Sequence, residues 1–309
     1  MRIGIGFGVV AGEDGSLPSL IARCERAEQD GFASAWLTHI FGNDAVIALA
    51  LAGRSTTRIE LGTFVVPTYP RHPVALAQQA LTASAATGGR FTLGIGLSHK
   101  VLIENILGLD YSKPIRHTRE YLSVLMPLME GQPVQYRGKE FRVSARLSVP
   151  GAGRPDVIVA ALGPQMLALA GRMADGTGTW MGGPKYLESV AVPAITAAAR
   201  EAGRKAPRIV SGFPIAVTAK GDAAKAAAAK IFAGYGAMPS YRAVLDREGA
   251  ADPSSIAIVG NETEVRARLR HLAGIGVTDF LGAMYPVEDD PGALERTYAL
   301  LASAAQSGL

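Results

Sequence analysis

The chain has 309 residues, of which 48% are hydrophobic and 19% are charged, and this composition excludes an intrinsically disordered protein. Its net charge of +4 comes from scattered basic residues, without the basic patch or aromatic motif of a nucleic-acid-binding protein. No apolar run reaches the roughly 18 residues needed to cross a membrane, and the first residues lack the features of a signal peptide. With Cys24 as its single cysteine, we predict a cytoplasmic protein without disulfides.

Short apolar strands alternate with longer helical segments in the first third of the chain, a pattern typical of repeated βα units. Predicted strands cover Arg2–Phe7, Ala33–Leu37, Ile59–Val66 and Phe91–Ile95. Predicted helices cover Leu17–Asp30, Asn43–Thr56 and Pro73–Thr87. This rhythm indicates the first half of a closed barrel.

The second half continues the alternation less regularly. Predicted strands cover Val157–Ala160, Gly176–Trp180, Ile209–Val217 and Asp279–Met284. Predicted helices cover His117–Met129, Gln165–Ala174, Tyr186–Glu201, Asn261–Leu272 and Gly292–Ala305. We therefore predict one (β/α)₈ TIM barrel domain over residues 1–309, with insertions after strands 4 and 7 at about 108–155 and 221–253. A doubly wound open sheet is the alternative, but the first βα turn lacks a GxGxxG motif.

The sequence has no HExxH or CxxC motif and no carboxylate cluster, so we predict no catalytic metal. It also has neither a GxSxG elbow nor a P-loop. The predicted strand ends carry glycine, small polar residues and a few histidines. This pattern is typical of a site in which a bound cofactor carries the reaction.

Three ordered runs closely resemble the luciferase-like monooxygenase family: TTRIELGT at Thr56–Thr63, PRHP at Pro70–Pro73 and GGRFTLGIG at Gly88–Gly96. Shorter matches at Trp36–His39 and Ala174–Gly176 extend the resemblance over residues 1 to about 285. It implies a barrel-shaped oxidoreductase that uses a flavin or the deazaflavin coenzyme F420. We interpret most of these residues as scaffold, with the paired glycines stopping a helix and the following arginine bonding exposed carbonyls or a carboxylate.

The resemblance also implies where the cofactor ring lies. Members that use F420 place a histidine at the end of the second strand, the position of His39, although the preceding residue here is Thr38 rather than aspartate. The family carries a non-proline cis peptide after the third strand, which corresponds to Phe64–Val65 and supports the ring from behind. A lone histidine is often structural, and residues 59–66 also fit plain β-branched core.

Two glycine-proline pairs follow strands in the second half. Ala161 and Leu162 lead into Gly163-Pro164, and Gly182-Gly183 precede Pro184-Lys185. A helix that opens directly after a strand leaves free N–H groups at the pocket, which suits a phosphate. The two pairs resemble the phosphate grip of F420-using members, and Lys185 adds a cation.

Ser98 and His99 follow the fourth strand, where some F420-dependent members carry a glutamate used in acid chemistry. We predict that Ser98 contacts the cofactor and that His99, like His39, is catalytic as a proton donor. His99 bonding the following insertion is the alternative.

We therefore predict an F420-dependent oxidoreductase that transfers a hydride between the deazaflavin and a small organic substrate. The alternatives are an FMN-dependent monooxygenase and a noncatalytic flavin-binding barrel. The apolar helix Asn43–Thr56 also suggests a homodimer, although packing within the barrel explains the same pattern.

Overall fold

The computed structural model describes residues 1–9 and 14–309. Its strands are β1 Arg2–Phe7, β2 Ser34–Leu37, β3 Glu60–Thr63, β4 Val66–Pro67, β5 Phe91–Gly96, β6 Val134–Arg137, β7 Arg142–Ala145, β8 Asp156–Ala160, β9 Gly176–Trp180, β10 Arg208–Val217, β11 Ile258–Gly260 and β12 Asp279–Met284. Its α-helices are α1 Leu17–Gln29, α2 Ala45–Ser55, α3 Pro73–Ala86, α4 Pro114–Met129, α5 Pro164–Met173, α6 Pro184–Tyr186, α7 Val192–Glu201, α8 Gly221–Ile231, α9 Ala233–Gly236, α10 Pro239–Glu248, α11 Glu262–Gly274 and α12 Ala293–Ser307.

The sheet closes on itself as a barrel of eight parallel strands. Its order is β1-β2-β3-β5-β8-β9-β10-β12, and β12 pairs with β1, so that Arg2 lies opposite Asp279. The (β/α)₈ prediction is confirmed. Two short strands extend this wall: β4 pairs with β5, and β11 pairs with the end of β10. Sequence reasoning missed β11 because three residues carry too little periodicity to distinguish a strand from a loop.

The first insertion surrounds a genuine barrel helix. Helix α4 packs against α3 and α5, the neighbours expected of the helix that follows the fourth barrel strand. The hairpin β6–β7 is joined to α4 through Glu120, whose carboxylate accepts hydrogen bonds from the N–H groups of Lys139, Glu140 and Phe141. The second insertion consists of α8, α9 and α10 and a short turn that leads into β11.

The barrel interior is built around a tryptophan. Trp36 is fully buried and packs with Ile158, Val210 and Leu281. A Cβ atom on Gly62 would lie 2.3 Å from the Trp36 indole, so only glycine leaves room for the ring at that position. The interior is thus a packed core rather than a channel.

The N-terminal end of the barrel is closed by an ion-pair network centred on Arg208. Its guanidinium pairs with Glu60 at 2.8 Å, with Asp279 at 2.8 Å and with Asp156 at 3.0 Å. Arg2 also pairs with Glu60 and Asp279. Burial alone would lower the pKa of Arg208, but the partners Asp279 and Glu60 raise it above its usual value. These charges therefore compensate one another where the sheet begins.

The scaffold predictions for the glycine-arginine run are confirmed. Gly88 and Gly89 have φ angles of 63° and 84°, a left-handed conformation that ends α3 and turns the chain into β5. Arg90 donates hydrogen bonds to the carbonyl oxygens of Gly53, Thr56 and Ile59 at 2.8–2.9 Å. The run thus fastens the end of α2 to the start of the third strand.

Glu28 on α1 fastens the same segment from the other side. Its carboxylate accepts hydrogen bonds from the N–H groups of Thr57, Arg58 and Ile59 at 2.5–3.0 Å. Burial opposes ionisation of the group, but these backbone bonds lower the pKa of Glu28 to about 2.

Within the described residues, no helix is both long and apolar enough to cross a membrane.

Candidate active site at the barrel rim

The predicted site residues all lie at one end of the barrel. They follow the C-terminal ends of five successive barrel strands, which is the face where TIM barrels carry their active sites. We call this face the rim. In chain order the predicted residues are His39, Phe64, Val65, Ser98, His99, Ala161, Leu162, Gly163, Pro164, Gly182, Gly183 and Lys185.

His39 lies half-buried between the second and third strand ends. Its Nδ1 accepts a hydrogen bond from the Ala45 N–H at 3.1 Å, and Arg71 Nη2 lies 3.0 Å from its Nε2. Arg71 also pairs with Asp44 at 2.8 Å. Burial and the Arg71 guanidinium lower the pKa of His39, and Asp44 offsets them only in part. The imidazole is therefore neutral near pH 7, because a cationic ring would lose the Ala45 bond and face a second cation.

The cis peptide bond implied by the family resemblance is present between Phe64 and Val65. It separates β3 from β4, so the single strand predicted over residues 59–66 is two short strands. The Phe64 ring turns into the barrel interior, 6.1 Å from the Trp36 ring. Glycine in β5 makes room for this bulge, since a Cβ atom on Gly94 would lie 1.9 Å from the Thr63 carbonyl oxygen. Gly94 is thus a point of close backbone approach between β5 and the end of β3.

Ser98 and His99 lie where the first insertion leaves the rim. Ser98 has a φ of 60°, and its carbonyl oxygen accepts a 3.4 Å hydrogen bond from the Tyr111 hydroxyl. The His99 ring packs against Tyr241 and Tyr235 of the second insertion, with centroids 5.9 and 6.4 Å away. Burial lowers the pKa of His99, so this imidazole is also neutral near pH 7. The His99 ring thus contacts the second insertion rather than the first insertion, which directly follows it, and its catalytic role stays a prediction.

The helix start at Gly163 is open. Gly163 is the N-cap of α5 in an extended conformation, and no side chain within residues 1–9 and 14–309 caps the helix. Gly163, Pro164 and Gln165 are exposed, and a Cβ atom on Gly163 would meet no described atom within 4 Å. Pro164 has no N–H, and the N–H groups that follow it in the first turn of α5 have no side-chain cap among the described residues, as an anion site requires.

The helix start at Gly183 is filled by the chain's own carboxylate. The Tyr186 N–H donates to Glu248 Oε1 at 2.5 Å, and Lys185 Nζ donates to the Glu248 carbonyl oxygen at 3.2 Å. The Tyr186 hydroxyl donates to the Leu162 carbonyl oxygen at 2.6 Å, which places the two helix starts side by side. Only the Gly163 start thus has the open N–H groups predicted for both starts.

Several rim residues escaped sequence reasoning. Asp44 caps α2 by accepting from the Val46 and Ile47 N–H groups, so the helix begins at Ala45 rather than at Asn43. An Asn-Asp pair before an apolar run was a readable capping signal. Glu248 and the tyrosines of the second insertion gave no comparable signal, because their position depends on how an irregular segment folds back over the barrel.

The described residues contain no group of three or more histidine, cysteine or acidic side chains arranged to hold a metal ion. The rim has two neutral imidazoles, an open helix start at Gly163 and the rings of Tyr235 and Tyr241 beside His99. Groups of these kinds are able to bind an anion and to exchange single protons.

Residues 3–279 match the model of the family described as luciferase-like monooxygenase. The 5,10-methylenetetrahydromethanopterin reductase of Methanolobus tindarius is 31% identical over 236 residues, which cover 76% of this chain and 72% of that protein. Two solved structures share the fold. The coenzyme F420 dependent tetrahydromethanopterin reductase of Methanopyrus kandleri superimposes with a TM-score of 0.80 at 23% identity, covering 99% of this chain and 97% of that chain. The oxygenating constituent of 3,6-diketocamphane monooxygenase from Pseudomonas putida, in complex with FMN, gives 0.76 at 17% identity, covering 100% and 98%. The chain is therefore an oxidoreductase that belongs to the luciferase-like monooxygenase family.

Proposed function

We propose that the protein is an F420-dependent oxidoreductase that transfers a hydride between the deazaflavin and a small organic substrate. The observation that carries this proposal is the shared rim: His39, the Phe64–Val65 bulge and the open Gly163 helix start follow neighbouring strands. A sequence relative supports F420 over FMN, since a protein of Mycobacterium tuberculosis that is 32% identical over 199 residues, 57% of this chain and 55% of that protein, is described as a putative coenzyme F420-dependent oxidoreductase.

The chain's own residues fit such a cofactor. The uncapped N–H groups of α5 hold a phosphate, which carries negative charge to the positive end of the helix dipole. The Phe64–Val65 bulge provides a surface for a planar ring at the end of the third strand. When bound, the deazaflavin supplies the hydride-transfer chemistry, and the protein supplies orientation and shielding from water.

His39 is the residue best placed to exchange a proton with the substrate. It is held in one orientation by the Ala45 N–H, and the lowered pKa keeps it neutral at physiological pH. A neutral imidazole accepts a proton when an alcohol is oxidised and returns it when a carbonyl is reduced. His99 is also neutral near pH 7 and lies two barrel strands further on, beside Tyr235 and Tyr241.

FMN-dependent monooxygenation is the second candidate function, because a structural neighbour binds FMN on the same fold. Both cofactors carry a phosphate, so the Gly163 helix start alone does not discriminate between them.

The test is a titration of the purified protein with F420 and with FMN, followed through quenching of intrinsic fluorescence. We expect saturable binding of F420 and at least 10-fold weaker binding of FMN. Tight FMN binding without F420 binding would overturn the proposal.

We also propose that the protein is a homodimer. Four apolar side chains are exposed on α2 and the loop before it: Ile40 at 57%, Phe41 at 67%, Ile47 at 59% and Leu51 at 42%. Burying such a patch in a symmetric interface removes it from water. Light scattering after size exclusion should give twice the chain mass for the wild type and a monomer for Ile47→Glu; a monomeric wild type at micromolar concentration would contradict the proposal.

A further inference from the structure

A groove of about 410 Å³ lies outside the barrel wall, between the second insertion and α11. Its floor is apolar and consists of the buried side chains Phe213, Ile258 and Leu272. Phe213 belongs to the core between strands and helices rather than to the cluster inside the barrel. The groove therefore lies outside the barrel interior, with Pro184 and Glu248 of its lining adjoining the Gly183 helix start at the rim. Its volume is in the range of small-molecule sites.

The groove has a guanidinium group at its edge. Arg268 and His271 on α11 both line it, and the Arg268 guanidinium makes only a long hydrogen bond of 3.4 Å to the Ala257 carbonyl oxygen. Neither side chain forms an ion pair within residues 1–9 and 14–309. Glu248, the one acidic residue in the lining, already accepts the Tyr186 N–H. An unpaired guanidinium beside an apolar floor complements an anion with an apolar body.

We propose that this groove is a second ligand site, which takes a small amphipathic carboxylate. The carboxylate pairs with Arg268 and accepts a hydrogen bond from His271, and the apolar body covers Phe213, Ile258 and Leu272. A guanidinium binds a carboxylate through two parallel N–H donors, which fixes the orientation of the ligand. Polyanions and neutral ligands fit less well, because the groove joins one cationic edge to one apolar surface.

A ligand in this groove also touches the segment that covers His99. Glu248, Gly249 and Ala250 line the groove at the end of α10, and Tyr241 of the same helix packs on the His99 ring. We call residues 239–250 the α10 arm. An occupied groove braces this arm against α11, and local opening of the arm becomes less frequent.

The test uses octanoate as the probe and isothermal calorimetry on the full chain without cofactor. We expect saturable binding of one octanoate per chain. 1-Octanol lacks the carboxylate and acetate lacks the apolar chain, so each should bind at least 10-fold more weakly. Arg268→Gln should weaken octanoate binding by on the order of 10-fold or more, since a hydrogen bond to a charged group is lost. Arg270→Gln is the matched control on the same helix, outside the groove lining, and should bind like the wild type.

Two further measurements keep the proposal falsifiable. Ser255→Trp places a bulky ring at the exposed edge of the groove and should abolish binding without unfolding the protein. Octanoate should slow amide hydrogen exchange in the α10 arm of the wild type and have no such effect in Arg268→Gln. Equal octanoate affinity in Arg268→Gln and Arg270→Gln, octanol binding as tightly as octanoate, or unchanged exchange in the arm would each overturn the proposal.

Discussion

The two ends of the barrel use polar groups in opposite ways. At the base, Arg208 meets three carboxylates, and Asp279, which is only 1% exposed, meets two guanidinium groups. At the rim, no described side chain caps the start of α5, and burial and Arg71 lower the pKa of His39. Charges that compensate each other stabilise a fold. Backbone N–H groups without a cap and side chains with a shifted pKa are available to a ligand. We therefore expect base substitutions to change stability and rim substitutions to change binding.

The largest expected effect is at the base. Asp279→Asn removes the buried carboxylate between Arg2 and Arg208 and leaves Arg208 partly unpaired. We expect a loss of roughly 3 kcal/mol in the free energy of unfolding, because breaking a buried pair exposes the cost of burying the other charge. Urea denaturation of the wild type and the variant measures this loss in the free energy of unfolding. Asp156→Asn is the matched control, since that side chain is 44% exposed, and it should cost less than about 1 kcal/mol. Equal costs would contradict the contrast between buried and exposed pairs.

Glu28 gives a pH-dependent version of the same test. Its pKa is about 2 in the folded chain, below the value of 4.5 for an unperturbed glutamate, so its stabilisation is complete above the unfolded value and is lost as pH falls through 2. Glu28→Gln should therefore lower the free energy of unfolding by roughly 2 kcal/mol at neutral pH, with the difference shrinking steadily below about pH 4. A difference that is the same at pH 7 and at pH 3 would contradict the role of the ionised carboxylate.

At the rim, removing Arg71 should change the titration of His39. Burial remains, but the neighbouring cation is lost while Asp44 is kept, so Arg71→Gln should raise the pKa of His39. More of the ring is then cationic at neutral pH, and the acid limb of the activity profile moves to higher pH. NMR titration of the imidazole C2–H measures the shift, with Arg54→Gln, an exposed arginine on α2, as the control. An unchanged His39 titration would show that Arg71 only packs there.

The smallest effect is expected at the Gly183 helix start. Glu248→Gln removes the anion bound to the Tyr186 N–H and leaves Lys185 in place. If the cofactor phosphate competes with this carboxylate, F420 should bind about 3- to 10-fold more tightly in the variant. The exposed Asp246→Asn on the same helix serves as the control. Unchanged F420 affinity in Glu248→Gln would place the phosphate at the Gly163 start alone.

Most of the barrel could be predicted from the sequence because its signals are local. Apolar runs mark the strands, and local caps mark the helix starts. Asn261 and Glu264 form a capping box at the start of α11, and His72 caps α3 by accepting the Val74 N–H. The Arg208 network escaped prediction because its acidic partners come from three distant strands. Nothing within one strand indicates which charges a barrel will bring together at its base.

The site was predictable only as far as strand ends identify it. His39 and Gly163 follow strands directly, so their place at the rim could be inferred from the fold. Glu248 lies 62 residues beyond its partner Tyr186, inside an irregular insertion, and its position results from tertiary packing. Which helix start remains open therefore required the structure.

The open helix start at Gly163 allows the most direct test of the account. Its extended φ of −87° and the free space around it accept any side chain, so Gly163→Ala and Gly163→Asp should both fold. Aspartate caps the helix with its own carboxylate and repels a phosphate, whereas alanine does neither. Titration with F420 should give near wild-type affinity for Gly163→Ala and roughly 30-fold weaker binding for Gly163→Asp, while the dephosphorylated deazaflavin binds all three proteins alike. Equal F420 affinity in the alanine and aspartate variants would contradict the claim that this helix start holds the cofactor phosphate.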